Sequence, residues 1–239
     1  MQIKGGILYD KFWAEEASYD QNSPNIGKFK EFSDFFRCKQ CHGWDLMGKE
    51  GSYISRGPKT NRPNVAGSLL GIRQKTPKEI FDLIKIGSQT RRKLTSDLST
   101  YDPTTNSTVG DQMPDYSEIL TDSQIWDLVK FIKEGFVDIT QLYDATYTGE
   151  YPSGKATFSD IGKDGDAAKG LTFYKANCEA CHGADGRQFK MENMSVGQFT
   201  RTKPNEVQHK IKFGQLGSAM KATPITLNEM KDLYKALAD

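Results

Sequence analysis

The sequence predicts a mainly α-helical protein built as two helical domains in tandem, joined by an ordered linker. Three observations predict it. The pentapeptide Cys38-Lys39-Gln40-Cys41-His42 returns with new filling as Cys178-Glu179-Ala180-Cys181-His182, and the two copies use all four cysteines of the chain. Each copy is followed by a variable loop, a methionine and a capped amphipathic segment. A chain of 239 residues is long enough for two domains of about 100 residues each. The expected boundaries are an N-terminal extension over 1–28, a first domain over 29–135, a linker over 136–163 and a second domain over 164–239.

The elements follow in order. Ile7, Leu8, Phe12 and Trp13 mark an extra amphipathic element laid on the first domain. Phe29 to Phe36 leads into Cys38, and the Gly-, Pro-, Arg- and Asn-rich stretch after His42 reads as loop. Thr76-Pro77-Lys78-Glu79 is a capping box with Pro at the first helical position; Ile80, Leu83 and Ile84 form its apolar stripe and Gly87 its stop. A polar insertion over Ser88–Gln112 precedes Met113-Pro114. Thr121-Asp122-Ser123-Gln124 caps the next helix, with Ile125, Leu128, Val129 and Ile132 on one face and Gly135 at its end. The linker has no helical period, and Tyr143, Tyr147 and Tyr151 predict that it packs across both domains.

In the second domain Asp166 to Asn177 feeds Cys178, and Pro204 to Phe213 forms a short helix ending at Gly214. Met220 sits in a loop. Thr226-Leu227-Asn228-Glu229 caps a final helix whose inner face is Met230, Leu233, Tyr234 and Leu237.

C-x-x-C-H is the attachment signature of c-type haem. Each thiol adds across one vinyl group, and the adjoining imidazole becomes the proximal iron ligand. The expectation is therefore two covalently bound haem c groups, held by Cys38, Cys41 and His42 and by Cys178, Cys181 and His182. Competing readings fit less well. A disulfide framework suits short, cysteine-dense secreted chains. A structural zinc site wants its Cys pairs some 12–20 residues apart, whereas 136 residues lie between Cys41 and Cys178. A thioredoxin-like motif belongs in a βαβ pattern, and these flanks read as helical.

Composition narrows the partners. Lys and Arg number 32 against 31 Asp and Glu, a formal charge of +1, so no basic face for nucleic acid is supplied. Apolar content is 36 %, a deficit that two buried porphyrins would offset. No run of about 18 apolar residues exists, which predicts no transmembrane segment. Met1-Gln2-Ile3-Lys4-Gly5-Gly6 lacks the apolar core of a secretory signal. Since attachment at this motif takes place outside the bacterial inner membrane, the expected location is periplasmic or otherwise extracytoplasmic, with a leader removed.

The chain has three histidines, two of them committed as proximal ligands, so His/His coordination at both irons is ruled out. Met113-Pro114, followed by the capped helix at Thr121, resembles the Met-Pro-loop-Thr-Asp-x-x-Ile segment of class I cytochromes c. Gly217-Ser218-Ala219-Met220 before Thr226 resembles the same segment without Pro directly after Met. The chain is thus similar to two class I cytochrome c domains, over roughly 29–135 and 164–239. The resemblance implies Met113 and Met220 as distal ligands, with His209 the rival in the second domain, although a surface position beside solvent is its blander reading. Met47, Met191, Met194 and Met230 read as core residues. The resemblance also implies a backbone carbonyl accepting the proximal His Nδ1 proton, with Pro63 the first-domain candidate. Arg56, Arg62, Arg91 and Arg92 are candidates to pair with propionates.

Two His/Met irons imply a periplasmic electron carrier that docks transiently with a redox donor and an acceptor, either free or as a subunit of a larger redox complex. The alternative is a dihaem oxidoreductase of peroxidase or sulfur-compound-oxidising type, in which one haem has a displaceable distal ligand.

Overall fold

The computed structural model describes residues 2–57, 65–86, 95–102 and 113–238. Helices dominate, and the described strands form one two-stranded sheet. The chain divides into two compact units: one of residues 1–136, 149–155 and 216–219, the other of 137–148, 156–215 and 220–239.

In the first unit, α1 (Gln2–Lys11) packs against α6 (Asp122–Lys130) and against the π-helical turn Phe131–Gly135. Gly5 sets the crossing, because a Cβ there would overlap the Asp127 carbonyl and the Phe131 side chain. Residues 5–10 are buried without interruption, so the element laid on the first domain is a core helix of this unit. Two short helices, α2 (Ile26–Glu31) and α3 (Ser33–Phe36), then lead to α4 (Cys38–His42). Phe12, Trp13, Phe29 and Phe36 meet mostly edge to face, with centroids 5.0–6.5 Å apart, a geometry that suits the ring quadrupole.

Helix α5 (Pro77–Lys85) begins at Thr76 with the expected capping box. Ile80, Phe81 and Ile84 are its buried residues; Leu83 is only half-buried, because the stripe runs through Phe81, whose ring stacks on Trp126 at 4.5 Å. Gly87 lies outside the described residues. Thr121 caps α6 with Gln124, and Ile125, Leu128, Val129 and Ile132 are all buried.

The second unit holds the same plan in less chain. The strands β1 (Asp144–Thr148) and β2 (Lys155–Ser159) form a hairpin within the linker. Tyr143 is buried at its base, and Tyr151, grouped with the first unit, packs on Trp44, Tyr53 and Val65. Helix α7 (Ala167–Asn177), capped by Asp166, crosses α11 (Leu227–Ala238). Gly170 makes that approach, since a Cβ there would overlap the Asp232 carbonyl. Between them lie α8 (Glu179–His182), α9 (Val196–Thr202) and α10 (Pro204–Phe213). Thr226 and Glu229 form the capping box of α11. Met230, Leu233 and Tyr234 are buried on its inner face, and Leu237, expected there too, is half-buried near the chain end.

Candidate haem-attachment sites

The two pentapeptides fold alike. The cysteines stand three residues apart, both within α4 in the first motif and at the N-cap and within α8 in the second, which puts the paired thiols on one side of the turn with the histidine at its end. Each helix stops at a glycine in the same backbone conformation: Gly43 has φ 75° and ψ 168°, Gly183 φ 78° and ψ 161°. Gly43 N donates to Lys39 O at 3.0 Å and Gly183 N to Glu179 O at 2.8 Å. Only a residue without a Cβ takes this conformation cheaply, so the glycine after each histidine is a geometric requirement.

The loops that follow also correspond. Asp45 Oδ1 accepts from Met47 N at 3.0 Å, and Asp185 Oδ1 accepts from Arg187 N at 3.1 Å. Next comes a residue in the left-handed region, Leu46 at φ 57° and Gly186 at φ 65°. Its carbonyl accepts a distant backbone N–H in both cases, from Leu69 at 2.7 Å and from Val196 at 2.9 Å. The neighbourhoods differ in cover. Lys39, Gln40, Trp44, Asp45 and Leu46 are all buried, whereas Ala180, Cys181, Ala184 and Asp185 are exposed.

The four thiols are unpaired with one another. Burial pushes the Cys38 and Cys41 thiols up to about 12 and the Cys178 thiol to about 11. Among the described residues no three His, Cys, Asp or Glu side chains converge on a metal site, and the two motifs lie in different units. The Nδ1 atom of His182 is buried and meets no hydrogen-bond partner among the described residues. Paired thiols on one face, with an imidazole at the end of the turn, fit a covalent porphyrin at each motif.

Polar side chains brace the first turn. Arg37 forms a largely buried ion pair with Asp10 and donates to its carbonyl oxygen at 2.8 Å. Gln40 donates to Asp34 and accepts from Arg56, and the Lys39 ammonium sits 4.6 Å from the Trp44 ring centroid. Arg56 is thus held close to the motif. Arg62, Pro63, Arg91 and Arg92 lie outside the described residues, as does most of the Ser88–Gln112 insertion.

Met113 is half-buried ahead of a buried Pro114. Met220 is half-buried in the loop after α10, its carbonyl accepting from Gln215 N at 3.0 Å. Four expectations about other residues change. Met230 is a core residue, but Met47, Met191 and Met194 are half-buried; Met191 and Met194 instead pair their backbones across a tight turn with both central residues at positive φ. His209 is not a surface residue. It is buried inside α10, with its ring 4.6 Å from that of Phe213.

Two residues that sequence reading passed over touch these turns directly. Tyr9 of α1 donates its hydroxyl to Gly43 O at 2.6 Å, and Tyr174 of α7 donates to Gly183 O at 2.8 Å. The signal that finds them is a shared Gly-x-x-x-Tyr, residues 5–9 and 170–174.

Comparison with known families matches residues 30–135 to the family described as Cytochrome c, and residues 165–235 to the family described as Cytochrome C oxidase, cbb3-type, subunit III. No curated protein gives a significant match. Among solved structures, a chain of the Kuenenia stuttgartiensis reducing HAO-like protein complex is 17 % identical over 89 % of this chain and 93 % of its own, with a TM-score of 0.25. With two such family matches in sequence, each enclosing one C-x-x-C-H motif, the chain is a dihaem c-type cytochrome, two cytochrome c domains in tandem that carry two covalently bound haem c groups.

Proposed function

We propose that this cytochrome is an extracytoplasmic carrier of single electrons between redox partners, with Met113 and Met220 as the distal iron ligands. Cytochrome c domains carry out haem-based electron transfer; the ligand set and the carrier role are the finer reading. When bound, each haem supplies an iron that exchanges one electron. The chain's part is to anchor the porphyrin through Cys38 and Cys41 or Cys178 and Cys181, to present His42 or His182 on one side, and to close the other side with a thioether. Thioether–imidazole coordination raises the potential and leaves no open position for a substrate.

One observation carries the ligand assignment. The two domains repeat the same succession, a helix opened by proline (α5 or α10), a half-buried methionine, and a helix opened by a threonine capping box (α6 or α11). The pair Met113 and Met220 is the sulfur-bearing element common to both. His209 lies inside α10, where the corresponding position of α5 is Asp82, so it belongs to no shared ligand position.

Optical and spin-resonance spectra of the ferric protein test the reading. A sulfur-to-iron charge-transfer band, halved by Met113→Ala and by Met220→Ala separately, is the expected result. A high-spin haem in the unmodified protein would instead favour the oxidoreductase with a displaceable ligand. A partner of oxidase or reductase type is in keeping with the second domain's match, a family named for an oxidase subunit. Among the described residues no helix is long and apolar enough to cross a membrane.

A further inference from the structure

We propose that Tyr9 and Tyr174 are positioning residues for the two haems, each fixing the glycine that follows the proximal histidine and thereby setting the reduction potential of the iron in its own domain. The proposal rests on haem attachment at the two motifs and is independent of which residue is the distal ligand.

The geometry is the same twice. The glycine after each histidine is pinned from both ends: its N–H donates back into the motif helix, and its carbonyl accepts a tyrosine hydroxyl, at 2.6 Å from Tyr9 and 2.8 Å from Tyr174. Each tyrosine stands four residues after the glycine that lets its helix cross the last helix of the domain, Gly5 against α6 and Gly170 against α11. The donor is therefore fixed to the rigid helix pair, and the acceptor to the residue next to the ligand. Both phenols are buried. Burial pushes Tyr9 well above its ordinary range and Tyr174 up to about 12, so both remain protonated donors.

Chain distance makes the coincidence informative. Tyr174 precedes Cys178 by four residues, within reach of the same stretch of helix. Tyr9 precedes Cys38 by 29 residues, with α2, α3 and their aromatic cluster in between. A contact that arose only from local sequence would not survive such an interruption. Since it is present across the longer segment, the site and not the chain connection specifies it. The same comparison makes α1 the counterpart of α7, hence an integral helix of the first cytochrome domain, with residues 12–36 as an insertion.

The physical effect follows from the carbonyl dipole. A hydroxyl donated to a carbonyl offsets its negative end and restrains the peptide plane. With the hydroxyl removed, that negative end is uncompensated one residue from the iron ligand. The ferric state, which carries the extra positive charge, then gains relative to the ferrous state, and the midpoint falls. Phenylalanine keeps the ring and removes only the donor.

The test uses the holoprotein with Tyr9→Phe, Tyr174→Phe and both, each checked by denatured mass for two attached haems. Variants with Cys178→Ala and Cys181→Ala assign the first-domain wave. Expected is a fall in the midpoint of the domain's own haem, with altered ferric g-values for that haem alone. Unchanged midpoints and g-values in proteins that retain both haems overturn the proposal, as do equal shifts at both haems. If Tyr9→Phe matures poorly, 3-fluorotyrosine at position 9 keeps the hydroxyl and makes it a stronger donor; its midpoint should rise, and an unmoved one counts against the idea. A bare-chain mass in the unmodified protein would instead sink the haem assignment itself.

Discussion

Asn25 holds Leu98 through its side chain: Leu98 N donates to Asn25 Oδ1 at 2.9 Å, and Asn25 Nδ2 donates to Ser96 O at 2.6 Å. These residues belong to two segments that the second domain lacks, the stretch between α1 and the first motif and the stretch between α5 and Met113. Tyr101 joins the same contact, its ring 6.0 Å from that of Phe35 and 5.6 Å from that of Phe36. The two additions to the first domain thus stabilise each other.

Asn25→Ala removes both hydrogen bonds and leaves the N–H of fully buried Leu98 without its acceptor. The expected cost is about 1–3 kcal/mol, read as a shift in denaturant midpoint. Hydrogen exchange should quicken over 95–102 and 19–36 while α7 and α11 keep their protection. Uniform loosening of both domains would show that the clasp is not local.

Much of this fold is legible in the sequence because its helices are announced by chemistry that acts locally. The boxes at Thr76, Thr121 and Thr226, the Asp166 cap and the proline that opens α10 each give a boundary that the structure repeats. The two cysteine motifs are equally plain, since vinyl spacing dictates their order. What was illegible depends on distant chain. α1 reads only as an extra element laid on the first domain because nothing near it in sequence reveals that Gly5 meets Asp127 or that Tyr9 meets Gly43. His209 reads as exposed because a lone histidine on a Lys- and Gln-bearing helix carries no local sign of burial. The β1–β2 hairpin is likewise missed, its strands being short and half-exposed on alternate residues.

Leu46 offers an inverted mutational order. It is fully buried yet sits at φ 57°, where the second domain has Gly186 at φ 65°. Truncation to alanine loses the packing of a core leucine, about 2–5 kcal/mol, and keeps a Cβ in the left-handed region. Leu46→Gly loses the same packing but relieves about 1–2 kcal/mol of backbone strain, offset in part by the freer unfolded chain. The glycine variant should therefore be the more stable of the two by about 0.5–1 kcal/mol. Chemical denaturation in parallel checks it; an alanine variant that matches or exceeds the glycine one refutes the strain argument.

The start of α11 should depend on acid in a defined direction. Glu229 accepts from the Thr226 hydroxyl at 2.7 Å and from Thr226 N at 2.8 Å, and these bonds hold its carboxyl below the ordinary value of 4.5. A group depressed on folding contributes stability that is fully present above its unfolded pKa and is lost as pH falls through the folded one. The loss therefore begins near the ordinary glutamate range and completes below it. Glu229→Gln keeps an acceptor but cannot titrate, so its melting curve should lose part of the acid slope of the parent. Identical slopes for the two proteins would contradict the assignment, and Glu79→Gln at the matching box of α5 supplies a second case.

The two haems should differ in potential, with the first the higher. Around α4 the chain buries Lys39, Gln40, Trp44, Asp45 and Leu46, whereas around α8 Ala180, Ala184, Asp185 and Phe189 are exposed. A drier site disfavours the ferric state because that state carries the additional charge, and solvent exposure is one of the levers that sets haem potentials. Arg37 and Arg56 beside the first motif act in the same direction, against the counter-charges of Asp10 and Asp34. Redox titration of the intact protein should resolve two waves, and the protein with Cys178→Ala and Cys181→Ala should retain the upper one. Retention of the lower wave would mean that local charges outweigh burial.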